Sequence, residues 1–228
     1  MKRSEVNQAI RFSMETLDKI QFRLPDFAYW GINEWKERKG EWENVKDVMQ
    51  GWDVTDFGSG DFAHVGAILF TIRNGNLARP EIGVPYCEKV IIFNDKEKQV
   101  IPLHFHRNKT EDIINRGNGI LEIELFHSDE EGNPDLYKQV EVYMDGIRHL
   151  VKAGEIISIY PGNSITLVPG IFHRFGAKKG AGALVVGEVS KVNDDNLDNV
   201  FADKQNRFTQ IFEDEKAEWP LVNEYDDL

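Results

Sequence analysis

The chain predicts an all-β protein, a sandwich or barrel, with a helix ahead of it and a packed extension behind. Three observations carry this. From about residue 52, short apolar runs rich in β-forming residues are punctuated by Gly, Pro and Asn turns, with no helical period between them. Ahead of them, Val6, Ile10, Met14 and Leu17 recur at spacings of four, four and three, the stripe of a helix. Behind them, residues 193–228 hold eleven Asp and Glu against three Lys and Arg, but also Phe201, Phe208, Ile211, Phe212, Trp219, Leu221 and Tyr225. A disordered acidic tail lacks such apolar content, so this one is expected to fold onto the barrel. The expected organisation is one domain: a helical and aromatic arm over 1–51, the barrel over 52–192 and the acidic extension over 193–228.

In order, residues 5–20 read as an amphipathic helix with Ser4 as its N-cap. Pro25 ends the connection. Phe27-Ala28-Tyr29-Trp30 follows as packing aromatics, and Trp35, Trp42, Val45 and Val48 suggest a second short helix. Turns at Gly58-Ser59-Gly60-Asp61 and Asn74-Gly75-Asn76 bracket a buried strand over 67–72. Strands over 89–93 and 99–106 are separated by the polar turn Asn94-Asp95-Lys96. Gly117-Asn118-Gly119 turns into a strand over 120–126, and further strands fall over 140–143, 155–160, 164–168 and 183–189. In the strand 120–126, Glu122 and Glu124 share one face and Leu121, Ile123 and Leu125 the other, and either face can line a cavity.

Composition narrows the function. A chain of 228 residues with 41% hydrophobic and 29% charged residues is long enough for a full core and ordinary for a globular protein. No apolar run approaches the roughly 18 residues of a membrane span. The first residues, Met1 to Gln8, lack the apolar core of a secretion signal, and a single cysteine, Cys87, excludes an internal disulfide, so a cytoplasmic location is expected. The net charge of −12 argues against nucleic acid or anionic membrane as partner, and against a phosphorylated substrate. A small neutral molecule fits better.

The chemistry concentrates in His104-Phe105-His106, Glu111 and Pro169-Gly170-Ile171-Phe172-His173. Histidines two apart on a strand face the same way. With a carboxylate shortly after and a third imidazole from a distant strand, they form an N3O set suited to Mn, Fe, Co, Ni or Zn. Such a set leaves coordination positions free, as catalytic sites do and closed structural sites do not. His64, His127 and His149 have no partner at ligand spacing and read as structural. Cys87 has no histidine near it in sequence and is not a nucleophile candidate.

His-x-His with Glu, over Pro102 to Gly117, and the Pro-Gly-x-x-His turn, over Gly154 to Phe175, resemble the paired motif of the cupin barrels, a jelly-roll-like fold. Many cupins carry an asparagine soon after the last His, where this chain has Phe175-Gly176. Beyond the motif the chain resembles the D-lyxose isomerase family. The likeness rests on Lys109, Glu111-Asp112-Ile113-Ile114-Asn115-Arg116-Gly117, Phe70 to Gly75, Gly187 to Asp195, Asp198-Asn199, Met1 to Glu5 and Asn223-Glu224-Tyr225, nearly the whole chain. It implies a homodimer of cupin barrels, each with one divalent ion, Mn2+ before Co2+, Fe2+, Ni2+ or Zn2+. It also implies interconversion of D-lyxose with D-xylulose, often with D-mannose to D-fructose.

That reaction moves a proton between C2 and C1 through an enediolate and needs a base near C2. Glu188, in the apolar run 184–189, is the first candidate, because a carboxylate there is costly unless paired or functional. Lys109, two residues before Glu111, is the first candidate for a proton shuttle or oxygen-stabilising cation. Lys89, Glu124, Arg116, Asp194, Asp198 and Arg207 are candidates for binding sugar hydroxyls. Asp194 and Asp195 can equally cap a helix. Three other readings stay open on the motif alone: an iron dioxygenase, a non-catalytic sugar-binding or storage cupin, and a phosphosugar isomerase.

Overall fold

The computed structural model describes residues 1–193, 198–203 and 209–228. Helix α1 (Arg3–Lys19) buries Val6, Ile10 and Leu17, as their spacing predicts, with Met14 half-buried beside them. Its N-cap is Lys2, not Ser4. Lys2 pairs with Phe212 of the tail in a short parallel bridge, which holds Lys2 extended and starts the helix at Arg3. Ser4 therefore falls inside the first turn, where its N–H and hydroxyl donate to Asp214 at 3.0 and 2.7 Å.

The expected second helix is two: α2 (Ile32–Glu37) and α3 (Glu43–Asp47). Gly40 between them has φ +95°, a left-handed conformation that ends a helix. Trp35 and Trp42 are buried around Tyr225 of the tail, the Trp35 and Tyr225 rings stacking at 4.9 Å. The aromatic arm is thus packing, as expected.

Fourteen strands follow among the described residues. They are β1 (Gly51–Thr55), β2 (Ala67–Gly75), β3 (Gly83–Phe93), β4 (Val100–His106), β5 (Glu111–Asn118), β6 (Leu121–Ser128) and β7 (Pro134–Asp135). Then come β8 (Val140–Met144), β9 (Ile147–Val151), β10 (Ile156–Ile159), β11 (Ser164–Leu167), β12 (Ile171–Ala177), β13 (Leu184–Lys191) and β14 (Asn199–Phe201). One sheet runs β1-β2-β3-β13-β5-β11-β8-β9 and the other β10-β6-β12-β4-β14, with β7 beside β6. Every pairing between these strands is antiparallel. The sheets enclose a core of Ile91, Phe93, Ile113, Leu121, Ile123, Leu125, Ile165, Phe175 and Val186. This is a cupin-type barrel.

Strand β3 shows why the run 90–93 is apolar throughout. Ile91 and Phe93 point into the barrel, whereas Val90 and Ile92 point outward into a second core roofed by Ile10 and Leu17 of α1. Both faces are buried, so no polar alternation is left. Strand β6 alternates cleanly: Leu121, Ile123 and Leu125 enter the core. Its carboxylates face outward, Glu124 paired with Arg174 and Glu122 4.0 Å from Lys178. No helix among the described residues is long and apolar enough to cross a membrane.

Candidate active site

Four elements bring the chemistry together. On β4, Phe105 turns outward to pack on Phe126 and Phe172, which sends its neighbours His104 and His106 inward. On β12, His173 stands in register with His104. Glu111 opens β5 in the facing sheet, opposite Ser190 of β13. Glu188, two residues earlier on β13, pairs in register with Lys89 of β3.

The ligating nitrogens of His104, His106 and His173 lie within 4.8 Å of one another, and all three residues are buried. His104 Nδ1 donates to the Pro102 carbonyl at 2.8 Å and His173 Nδ1 to the Ile171 carbonyl at 3.0 Å, which leaves each Nε2 without its proton. Burial pushes His104 well below its usual range and lowers His106 as well, which favours the neutral form of these two rings. Glu111 Oε1 lies 3.1 Å from His173 Nε2, and its Oε2 3.3 Å from His106 Nε2. Despite that approach, His173 Nε2 makes no hydrogen bond. Donor atoms crowded without bonding one another are what a cation requires: ligands at about 2.1 Å from an ion at right angles are about 3.0 Å apart. The residues fit a divalent ion, with Glu111 shared between two of the rings.

The rest of the site is a buried charge network. Lys109 Nζ reaches Glu111 Oε2 at 2.9 Å, Glu188 Oε1 at 3.0 Å and Asn193 Oδ1 at 3.2 Å, and Lys89 Nζ lies 3.6 Å from Glu188 Oε1. Burial is the largest single influence and would raise both carboxyls, but the ammonium of Lys109 and the neighbouring imidazoles together outweigh it and hold Glu111 well below the usual carboxylate range. Lys109 and Lys89 together hold Glu188 below it too. Two lysines balance two glutamates, which is how this many charges can be buried at all. Phe57, Leu69, Ile91, Ile101, Phe175 and Phe201 wall the cavity, of about 40 Å³.

Of the described residues expected to contact a sugar, Lys89 lines this cavity and three, Glu124, Arg116 and Asp198, do not. Glu124 is held outside by Arg174, because the apolar residues of β6 take the inner face. Arg116 is exposed: β5 alternates, Glu111, Ile113 and Asn115 point inward, and the Arg116 side chain lies across Gly187 on the outer face. Asp198 is buried, but it faces His106 Nδ1 at 3.5 Å and accepts from the Asn108 N–H at 2.7 Å. Asp194, Asp195 and Arg207 lie outside the described residues. Sequence reasoning missed Asn193, Phe57 and Phe201. Phe57 directly precedes the Gly58-Ser59-Gly60 turn, which is its one signal in the sequence. His64 is exposed beside Asp61, and His127 and His149 are only partly buried, away from the three grouped imidazoles.

The sequence model of the D-lyxose isomerase family matches residues 1–225. The chain is 42% identical to D-lyxose/D-mannose isomerase of Serratia proteamaculans over 227 residues, 99% of this chain and 98% of that one. It is equally 42% identical to the protein of that name from Escherichia coli O157:H7, over 99% of this chain and 98% of that one. Among solved structures it is similar to L-ribose isomerase of Cellulomonas parahominis, with TM-score 0.60 and 16% identity over 93% of this chain and 98% of that one. The Acinetobacter sp. DL28 L-ribose isomerase follows at TM-score 0.57 and 15% identity, covering 92% and 98%. These last two likenesses speak to the fold.

Barrel, buried site and relatives together define an enzyme of the aldose–ketose isomerase class. The chain belongs to the D-lyxose isomerase family. Of the readings that the motif left open, membership selects the sugar isomerase.

Proposed function

We propose that this enzyme interconverts D-lyxose and D-xylulose, with D-mannose and D-fructose as a second pair, using one divalent ion held by His104, His106, Glu111 and His173. Two relatives at 42% identity named D-lyxose/D-mannose isomerase support the substrates. The observation that carries the mechanism is Glu188, a buried carboxylate kept ionised between Lys109 and Lys89 beside the grouped imidazoles.

A bound divalent ion polarises the sugar carbonyl and stabilises negative charge developing on its oxygens. Glu188 removes the C2 proton; that electron pair becomes the C1=C2 bond, and the carbonyl pair moves to O1. Lys109, at the junction of Glu111 and Glu188, exchanges protons with the oxygens, so that O1 gains one and O2 loses one. Glu188, whose acquired proton exchanges with solvent while the enediolate lasts, then protonates C1, and O2 becomes the ketose carbonyl. Mn2+ suits the N3O donor set, as do Co2+, Fe2+, Ni2+ and Zn2+. The enzyme acts as a homodimer in the cytoplasm, in keeping with a chain that has a single cysteine.

The test is turnover of D-lyxose in D2O by chelator-treated and reloaded protein. The reading predicts no activity after chelation, recovery with Mn2+, and solvent deuterium at C1 or C2. Full activity after exhaustive chelation overturns the metal role, and product free of deuterium replaces the proton path by a hydride shift.

A further inference from the structure

Two of the three grouped imidazoles are fixed in the same way: Nδ1–H donates to a backbone carbonyl two residues back, and Nε2 faces the centre. His106 departs from this. Its Nε2 also faces the centre, 3.3 Å from Glu111 Oε2, but its Nδ1 is buried and makes no hydrogen bond. The nearest acceptor is Oδ2 of Asp198, 3.5 Å away, and that oxygen is itself buried and unbonded. Two complementary orphans thus face each other, about 0.5 Å beyond an ordinary N–H···O bond. The other oxygen of Asp198 is engaged with the Asn108 N–H at 2.7 Å, and the Asp198 carbonyl accepts from the Arg107 N–H at 3.1 Å. Asp198 is therefore anchored by Arg107 and Asn108, the two residues that follow His106.

We propose that Asp198 is a positioning residue: its Oδ2 accepts the Nδ1–H of His106, fixes that tautomer and aims Nε2 at the ion. The inference rests on the metal-centre reading above and deepens it. It moves Asp198 from the sugar-binding role expected of it to one exerted through His106. A carboxylate behind a ligating imidazole fixes the ring and raises its basicity, and losing such a partner typically weakens metal binding about 10–100-fold. The link also ties the centre to the tail. Asp198 leads into β14, whose Phe201 lies over the His104 ring at 5.5 Å, so the segment that covers the cavity also orients a ligand.

The test titrates Mn2+ into metal-free full-length protein, with the free ion read by its EPR signal. Asp198→Asn is the sharper substitution. Its carbonyl oxygen can keep the Asn108 N–H, while its amide then turns donor against donor toward His106. Asp198→Asn and Asp198→Ala are expected to weaken Mn2+ binding about 10–100-fold, with Asp198→Glu recovering most of the loss. Nitrogen-15 NMR of the metal-free protein is expected to show the Nδ1–H tautomer of His106 in the parent and in Asp198→Glu but not in Asp198→Asn. Unchanged affinity with an unchanged tautomer overturns the proposal, and so does a lowered melting temperature with both readouts unmoved. If the parent itself binds no Mn2+, the metal-centre reading fails, and the tautomer of His106 still decides whether Asp198 holds it.

Discussion

His104 and His173 stand opposite each other in register across β4 and β12, with ring centroids 4.2 Å apart. Neither ring can turn without breaking its own bond to the strand, so two of the nitrogens are aimed before any ion arrives. Preorganisation of this kind makes binding depend steeply on each imidazole. His104→Ala and His173→Ala are each expected to lose stoichiometric metal by elemental analysis. Activity should fall further than the roughly 10–100-fold that an outer partner costs. Retention of one ion per chain in either variant would remove that residue from the ligand set.

Glu188→Gln keeps the shape of the side chain and removes the base. The expected result is a fall in kcat of about 10²–10⁴-fold, the usual range for a general base, with Mn2+ binding retained. A pre-steady-state measurement of deuterium wash-in should slow in parallel. If kcat holds while wash-in persists, the proton is carried by another group, and Lys109 is the next to replace.

Arg116→Ala and Glu124→Gln test the placements on the outer faces. Both side chains lie away from the cavity, so kcat/KM for D-lyxose should stay within about twofold of the parent. Glu124→Gln gives up a partly exposed pair, worth about 0–1 kcal/mol of stability in urea unfolding. A tenfold loss of kcat/KM would place the residue back at the sugar.

The clasp between helix and tail should be visible in acid. Arg3 is buried and binds Glu213 at 2.6 and 2.9 Å, with Glu224 alongside. The Arg3 guanidinium holds the Glu213 carboxyl below its ordinary 4.5. A carboxylate lowered in the folded state adds stability that is present above pH 4.5 and is lost as pH falls through its depressed value. Arg3→Ala should therefore lower the urea midpoint at pH 7 and flatten its dependence on pH below 4.5. An unchanged acid limb in the variant would show that the tail is held elsewhere.

Tyr225→Phe isolates a second anchor. Its hydroxyl donates to the Gln50 carbonyl at 2.6 Å while the ring stacks on Trp35. Removing the hydroxyl alone should cost about 1 kcal/mol in equilibrium unfolding, because the carbonyl loses a partner and the packing stays. Trp35→Ala, which empties the cluster, should cost about 3–5 kcal/mol.

The sequence made the barrel and the histidine centre legible for different reasons. Regular punctuation gave most of the strands, and His-x-His on a β-pattern can only put both rings on one side. Strand β5 escaped because Glu111-Asp112-Ile113-Ile114-Asn115-Arg116 carries Asp, Asn and Arg, which disfavour strands, and is held by neighbours on both sides. Strand β14 escaped because three residues in an acidic segment show no period. The inward turn of Lys89 and Glu188 was not decidable, since β3 and β13 bury residues on both faces. Which face holds the charges depends on where α1 packs, a fact of tertiary structure. Arg116, an odd number of residues after Glu111, falls on the opposite face of β5, an alternation that shows only once the segment is known to be a strand.

The matched register of β4 and β12 also bears on how the enzyme matures. A slip of one residue would exchange His104 and His106 for Phe105, and His173 for Phe172, swapping imidazoles for hydrocarbon in the interior. Such a misfolded barrel would be about as greasy inside as the correct one, and collapse alone would not reject it. Only the correct alignment gathers nitrogens that an ion can cross-link, so on the proposed metal centre ion capture during refolding is expected to favour the correct strand alignment. Recovery of turnover in the presence of Mn2+ should then outpace recovery when the ion is withheld until the chain has compacted.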